Sequence, residues 1–80
     1  MTEIVIRNKQ ICGVDTQYKF YKNDENSYEI GISRGPKDGA LTYIGDFFDA
    51  VALFKTMIET DTLPENLEDI AEDIKNFVTV

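Results

Sequence analysis

Histidine is absent from this 80-residue chain, and with it goes the commonest general base and metal-binding side chain. No Ser-His-Asp or Cys-His arrangement can form, and zinc held by cysteine and histidine is excluded by count. Cysteine occurs once, at Cys12. That rules out an intramolecular disulfide and suits a reducing compartment. Between Ile11 and Gly13, in an expected strand, Cys12 reads as a small core hydrophobe and not as a nucleophile. Long apolar runs are missing too. The longest, Ala50 to Phe54, falls far short of the roughly 20 residues that span a bilayer. No basic n-region follows Met1, so a cytoplasmic protein is expected. Repeats, low-complexity tracts and linkers are lacking, which leaves residues 1–80 as a single domain.

What is present in excess is acid. The net charge is −7, and it is segregated. In residues 1–45 six bases (Arg7, Lys9, Lys19, Lys22, Arg34, Lys37) balance six acids (Glu3, Asp15, Asp24, Glu25, Glu29, Asp38). Residues 46–80 carry nine acids against Lys55 and Lys75. A field of that sign repels nucleic-acid backbones and anionic membranes and favours a basic protein surface as partner.

The N-terminal half reads as strands. Glu3 to Arg7 is a β-branched run, Asn8-Lys9-Gln10 interrupts it, and Ile11 to Val14 resumes an extended pattern that Asp15-Thr16 is expected to turn. Tyr18 and Phe20 then alternate with polar neighbours. Asn23 to Asn26 predicts a hairpin, after which Tyr28, Ile30 and Ile32 give the clearest period-two signal in the chain. Gly35-Pro36-Lys37-Asp38-Gly39 predicts a second hairpin loop, with both glycines free to take positive φ. It lacks the Gly-Lys-Ser/Thr ending of a phosphate-binding loop and leads into a strand, Ala40 to Ile44. The aromatics of the sheet, flanked by Lys19, Lys22 and Arg34, resemble base-stacking surfaces in kind, but cross-strand packing accounts for them better in so acidic a chain. Asp24, Glu25, Asp61 and Glu65 lack the spacing of a calcium loop.

Asp46 to Glu59 predicts a helix capped by Asp46. Phe47, Val51, Phe54 and Ile58 form a central stripe, Phe48 and Ala52 one flank, and Ala50, Leu53 and Met57 the other. The apolar arc of roughly 260° exceeds the ~100° of an ordinary surface helix, so the helix is expected to be covered on more than one side. After a polar break at 60–62, Thr62 and Glu65 have capping-box spacing and Pro64 falls in the first turn of a second helix, about Pro64 to Phe77. One face of that helix is apolar (Leu67, Ile70, Ala71, Ile74). The other is an acidic ridge of Glu65, Glu68, Asp69, Glu72 and Asp73.

The segment Leu63-Pro64-Glu65-Asn66-Leu67-Glu68-Asp69-Ile70-Ala71-Glu72-Asp73-Ile74 resembles a family of small clostridial-type Firmicute proteins that form a domain of unknown function, with the match running over about residues 18–77. That family has no assigned activity or catalytic residues, so the resemblance implies a fold and nothing catalytic.

Together these signals predict an α+β domain: a mostly antiparallel, four- to five-stranded meander over 1–45, then two C-terminal helices over 46–80 packed on one face. No catalytic residue, cofactor or metal ligand is assigned, and a non-enzymatic interaction or regulatory role is expected, with Glu65, Glu68, Asp69, Glu72 and Asp73 facing lysines or arginines of a partner. One alternative is a structural homo-oligomer, such as a homodimer covering the surplus helical arc through Leu53 and Met57. Another is an inhibitor whose acids imitate nucleic-acid phosphates to block a DNA-binding protein.

Overall fold

The computed structural model describes residues 2–67 and 69. Within them the chain runs through β1 (Thr2–Ile11), β2 (Val14–Asp24), β3 (Ser27–Arg34), β4 (Lys37–Ile44) and α1 (Phe47–Glu59), followed by a 3-10 turn at Pro64–Asn66. The strands form one antiparallel sheet in the order β1-β2-β3-β4. Alternation decides its faces: Thr16, Tyr18 and Phe20 of β2 and Tyr28, Ile30 and Ile32 of β3 are buried, with half-exposed residues between them. These side chains meet Ala50, Leu53, Phe54 and Met57 of α1 in a single core, in which Phe20 stacks on Tyr28 at 5.6 Å and on Phe54 at 5.2 Å between ring centroids.

The meander has four strands because the two expected N-terminal segments are one. β1 runs unbroken through Asn8-Lys9-Gln10, since a polar side chain costs an edge strand nothing where it meets a polar partner. Gln17 donates to Asn8 at 3.2 Å and Gln10 to Asp15 at 3.1 Å across the solvent-facing side. The reversal falls at Cys12-Gly13, not at Asp15-Thr16. Both central residues have positive φ, 53° and 77°, the type I′ pattern that matches strand twist in two-residue hairpins. Cys12 is therefore exposed at a hairpin tip and not a core residue.

The hairpin after Asp24 lies where expected. At Gly35-Pro36 the turn takes only two residues, pairing Arg34 with Lys37, and only Gly35 has positive φ, 60°. Gly39 lies inside β4, and its small size serves packing: a Cβ there would sit 2.8 Å from the Pro64 carbonyl oxygen.

Asp46 caps α1, its carboxylate accepting from the Asp49 N–H at 2.8 Å. The helix stops by a Schellman arrangement: Thr62 N–H donates to the Met57 carbonyl at 3.0 Å and Asp61 N–H to the Ile58 carbonyl at 3.3 Å, with Asp61 in the left-handed region at φ 53°. Lys9 of β1 reaches this end, donating to the Ile58 carbonyl at 2.8 Å and pairing with the Asp61 carboxylate. The chain then recrosses the inner face as a strap. Tyr18 donates its hydroxyl to the Thr62 carbonyl at 2.9 Å, and Pro64 lies on Gly39.

Only one helix of the expected pair is described. Pro64 does open a helical turn, but the capping box does not form: Leu63 holds the cap position without a side-chain bond. Thr62 is drawn inward instead, buried with its hydroxyl 3.0 Å from that of Thr60. The rest of the expected second helix, apart from Asp69, lies outside the described residues.

Two outcomes follow from these contacts. Gly39→Ala should lose about 1–3 kcal/mol through overpacking against Pro64. Gly31→Ala, whose new Cβ would meet its nearest neighbours at 3.8 and 3.9 Å, should stay within about 1 kcal/mol of wild type or gain, because glycine weakens strands; equal urea midpoints for the two variants would refute the close approach. For Tyr18, burial pushes the phenol above its ordinary pKa, Asp61 adds to the rise and Arg34 opposes it. The folded state thus keeps this proton to higher pH than the unfolded chain, so the stability it contributes is complete below about pH 10 and is lost as pH climbs through the folded value. Tyr18→Phe should cost about 1 kcal/mol at neutral pH and make the alkaline decline in urea midpoint shallower than in the wild type.

Candidate interaction surface

Where β4 hands over to α1, the core aromatics continue out to the surface. Phe47 packs its ring 6.4 Å from Phe20 and 5.9 Å from Tyr28, yet remains 43% exposed. Phe48 leans edge-on against Phe47 at 6.0 Å and is 82% exposed, and Ile44 at the end of β4 is 73% exposed. An apolar residue alone on a surface is ordinary, whereas adjoining large ones mark a contact site.

The position of these side chains follows from local structure. Gly45 N–H donates to the Asn26 carbonyl at 2.9 Å, which ties the helix start to the β2–β3 turn. A Cβ on Gly45 would run into the Tyr43 ring at 2.6 Å, so a larger residue here would have to swing that half-buried ring aside. The exposed carboxylates of Asp46 and Asp49 border the apolar group, and those of Asp24 and Glu25 lie on the turn tied to Gly45. Their field is felt at Tyr43, whose phenol is pushed up by burial and then by Asp49 and Asp46. The result is a hydrophobic tip within an acidic surround.

The residues singled out in the sequence are placed differently. Leu53 and Met57 are 4% and 0% exposed, so they belong to the core and offer no oligomer contact. The sheet took the Ala50-Leu53-Met57 flank of the helix, and the surplus arc lies on the Phe48-Ala52 side. Glu65 is exposed beside Lys37, 4.0 Å away, and Asp69 is exposed. Glu68, Glu72 and Asp73 lie outside the described residues. Among the described residues no group of three or more Cys, Asp or Glu is placed to hold a metal ion, and no helix is long and apolar enough to cross a membrane.

No protein-family model, curated protein or solved structure matches the chain. The surface has therefore to be judged on its own chemistry, which offers recognition by apolar contact and charge. Of the missed residues, Phe47 and Phe48 did leave a signal in the excessive width of the helical arc, while Ile44, at the end of β4, left none. What the arc could not specify is which flank faces the sheet, because that depends on where Asp46 sets the helix down.

A stability comparison separates the tip from the core. Phe48→Ser should change unfolding free energy by no more than about 0.5 kcal/mol, while Phe54→Ala should cost about 3–5 kcal/mol. Chemical denaturation of both variants measures this, and a loss above about 2 kcal/mol for Phe48→Ser would show that the ring supports the fold.

Proposed function

We propose that the protein is a non-catalytic, cytoplasmic interaction domain that docks a partner whose apolar pocket is rimmed by lysine or arginine. The observation that carries this reading is the exposure of Phe48 against the half-exposed Phe47, bordered by the exposed carboxylates of Asp46 and Asp49. Aromatic anchors dominate interface energetics when a partner desolvates them, and complementary rim charges speed encounter and reject wrong partners. The acidic excess of the C-terminal half, including Glu65, Glu68, Asp69, Glu72 and Asp73, adds to the same attraction. The resemblance to the Firmicute family of unknown function is compatible with such a role and adds no chemistry to it.

A second reading shares the observation: the tip pairs with a second copy, giving a homodimer. The acids surrounding it oppose that arrangement, since a two-fold contact would bring Asp46 and Asp49 of both copies together.

Affinity capture from the source cell extract, washed with rising salt, tests the proposal with three baits. The wild type should retain a partner that elutes as salt shortens the screening length below the ~8 Å of physiological ionic strength. A Phe48→Ser, Asp46→Lys, Asp49→Lys bait should lose it. A Glu65→Lys, Glu68→Lys, Asp69→Lys bait should keep most of it. Loss with the last bait alone would move docking to the acidic ridge, capture unchanged by both would remove the charge-based reading, and recovery of only the protein itself would favour the homodimer.

A further inference from the structure

Along the flank of α1 that faces β1 lies a cleft whose charge is of the other sign. Between α1 and the edge strand β1 is a cleft of 170 Å³ lined by Ile4, Val5, Phe20, Val51, Phe54 and Ile58, with Arg7 and Lys55 on its two walls. Arg7 faces it because β1 pairs Arg7 with Tyr18, an inward position. Lys55 faces it because residues 51, 55 and 58 share one side of a helix. The strand is irregular at this point: the register shifts between Glu3 and Val5, so two successive residues, Ile4 and Val5, both line the cleft, where a regular strand would send them to opposite faces.

In a chain of net charge −7, two of eight bases flank one apolar slot. Among the described residues neither stands within 4 Å of a carboxylate. The Arg7 guanidinium turns back on its own strand, to the Ile6 carbonyl at 3.3 Å. Lys9, the next inward base on β1, is by contrast fully engaged with Ile58 and Asp61.

We infer that this slot binds the C-terminus of a partner chain, taking its last side chain, aliphatic or aromatic, between β1 and α1 and its α-carboxylate between Arg7 and Lys55. Size argues for a peptide over a lipid or cofactor: small-molecule sites occupy roughly 300–1,000 Å³, and 170 Å³ suits one side chain. The setting argues the same way, because among the described residues β1 pairs only with β2, and a strand edge of that kind adds an extended peptide by backbone bonds while neighbouring pockets read its side chains. An α-carboxylate fits better than an acidic side chain. It lies one bond from the Cα that carries the pocketed group, whereas the next residue of an extended chain points to the other face.

Titration of the isotopically labelled protein, followed by amide chemical shifts, tests this with an N-acetylated hexapeptide ending in Leu-Val with a free carboxylate, the same peptide amidated, and octanoate. The free-carboxylate peptide should saturate shifts at Ile4, Val5, Val51 and Ile58. Amidation should weaken binding by about tenfold or more, the scale of one charge-assisted hydrogen bond. Arg7→Gln and Lys55→Gln, both at exposed positions, should each weaken it while the spectrum elsewhere stays unchanged, and Phe48→Ser should bind as the wild type. Equal binding of the amide, shifts confined to other residues, or octanoate binding as tightly at the same amides would each overturn the assignment.

Discussion

One short helix must serve four strands, and most of the molecule follows from that mismatch. A 13-residue helix is about 20 Å long and ~10 Å across with its side chains, whereas four strands spaced ~4.8 Å apart present a wider inner face. α1 therefore covers the middle, where Tyr18, Phe20, Tyr28, Ile30 and Ile32 are fully enclosed, and leaves each margin to another device. On the β4 side the strap does the covering: Thr62 is fixed by the Tyr18 hydroxyl, Pro64 sits on a glycine that has no side chain to displace it, and Leu67 fills the core behind them. On the β1 side nothing equivalent is present among the described residues. Lys9 ties the helix end to the strand, and the cleft lies beside that tie.

The features legible in the sequence were the local ones. Tyr28 to Ile32 alternates because both faces of β3 have fixed fates, Asp46 caps because its carboxylate bonds a residue three positions on, and the polar run at 59–61 stops the helix through backbone bonds made within five residues. What the sequence concealed was set by contacts between distant residues. Gly39 has the composition of a turn glycine but is required by Pro64, 25 positions later. Thr62 has the spacing of a cap but is pulled inward by the group around Tyr18. Cys12-Gly13 is the one local failure, since cysteine carries no turn preference and only the pairing of Ile11 with Val14 forces both residues to positive φ. The wide arc of α1 announced that something would be left uncovered, and the choice of flank, which moved the exposed surface from Leu53 and Met57 to Phe48, was again a matter of docking.

The charge pattern has the same origin. The bases of the balanced N-terminal half include Arg7, Lys9 and Arg34 at inward positions of the sheet, where long side chains bury their stems and bring their heads to the margins. All three end on backbone carbonyls, Lys9 on Ile58, Arg34 on Ile11 at 3.1 Å and Arg7 on Ile6 at 3.3 Å. Inward-pointing charges and the bulge near Glu3 also blunt β1 as an edge. That protects against indiscriminate strand pairing while leaving room for a segment able to answer the charges.

With several of its bases drawn toward the margins of the inner face, the outer field of the protein is governed by its carboxylates. A basic partner is attracted from a distance, and salt weakens that attraction. A ligand carboxylate approaching Arg7 and Lys55 feels repulsion from the whole molecule at long range and attraction only within a few ångströms. At physiological ionic strength the screening length of about 8 Å removes much of the first and leaves the contact itself. The two surfaces carried by α1 thus respond to ionic strength in different ways, because one depends on the field of the whole chain and the other on two side chains at the mouth of a slot.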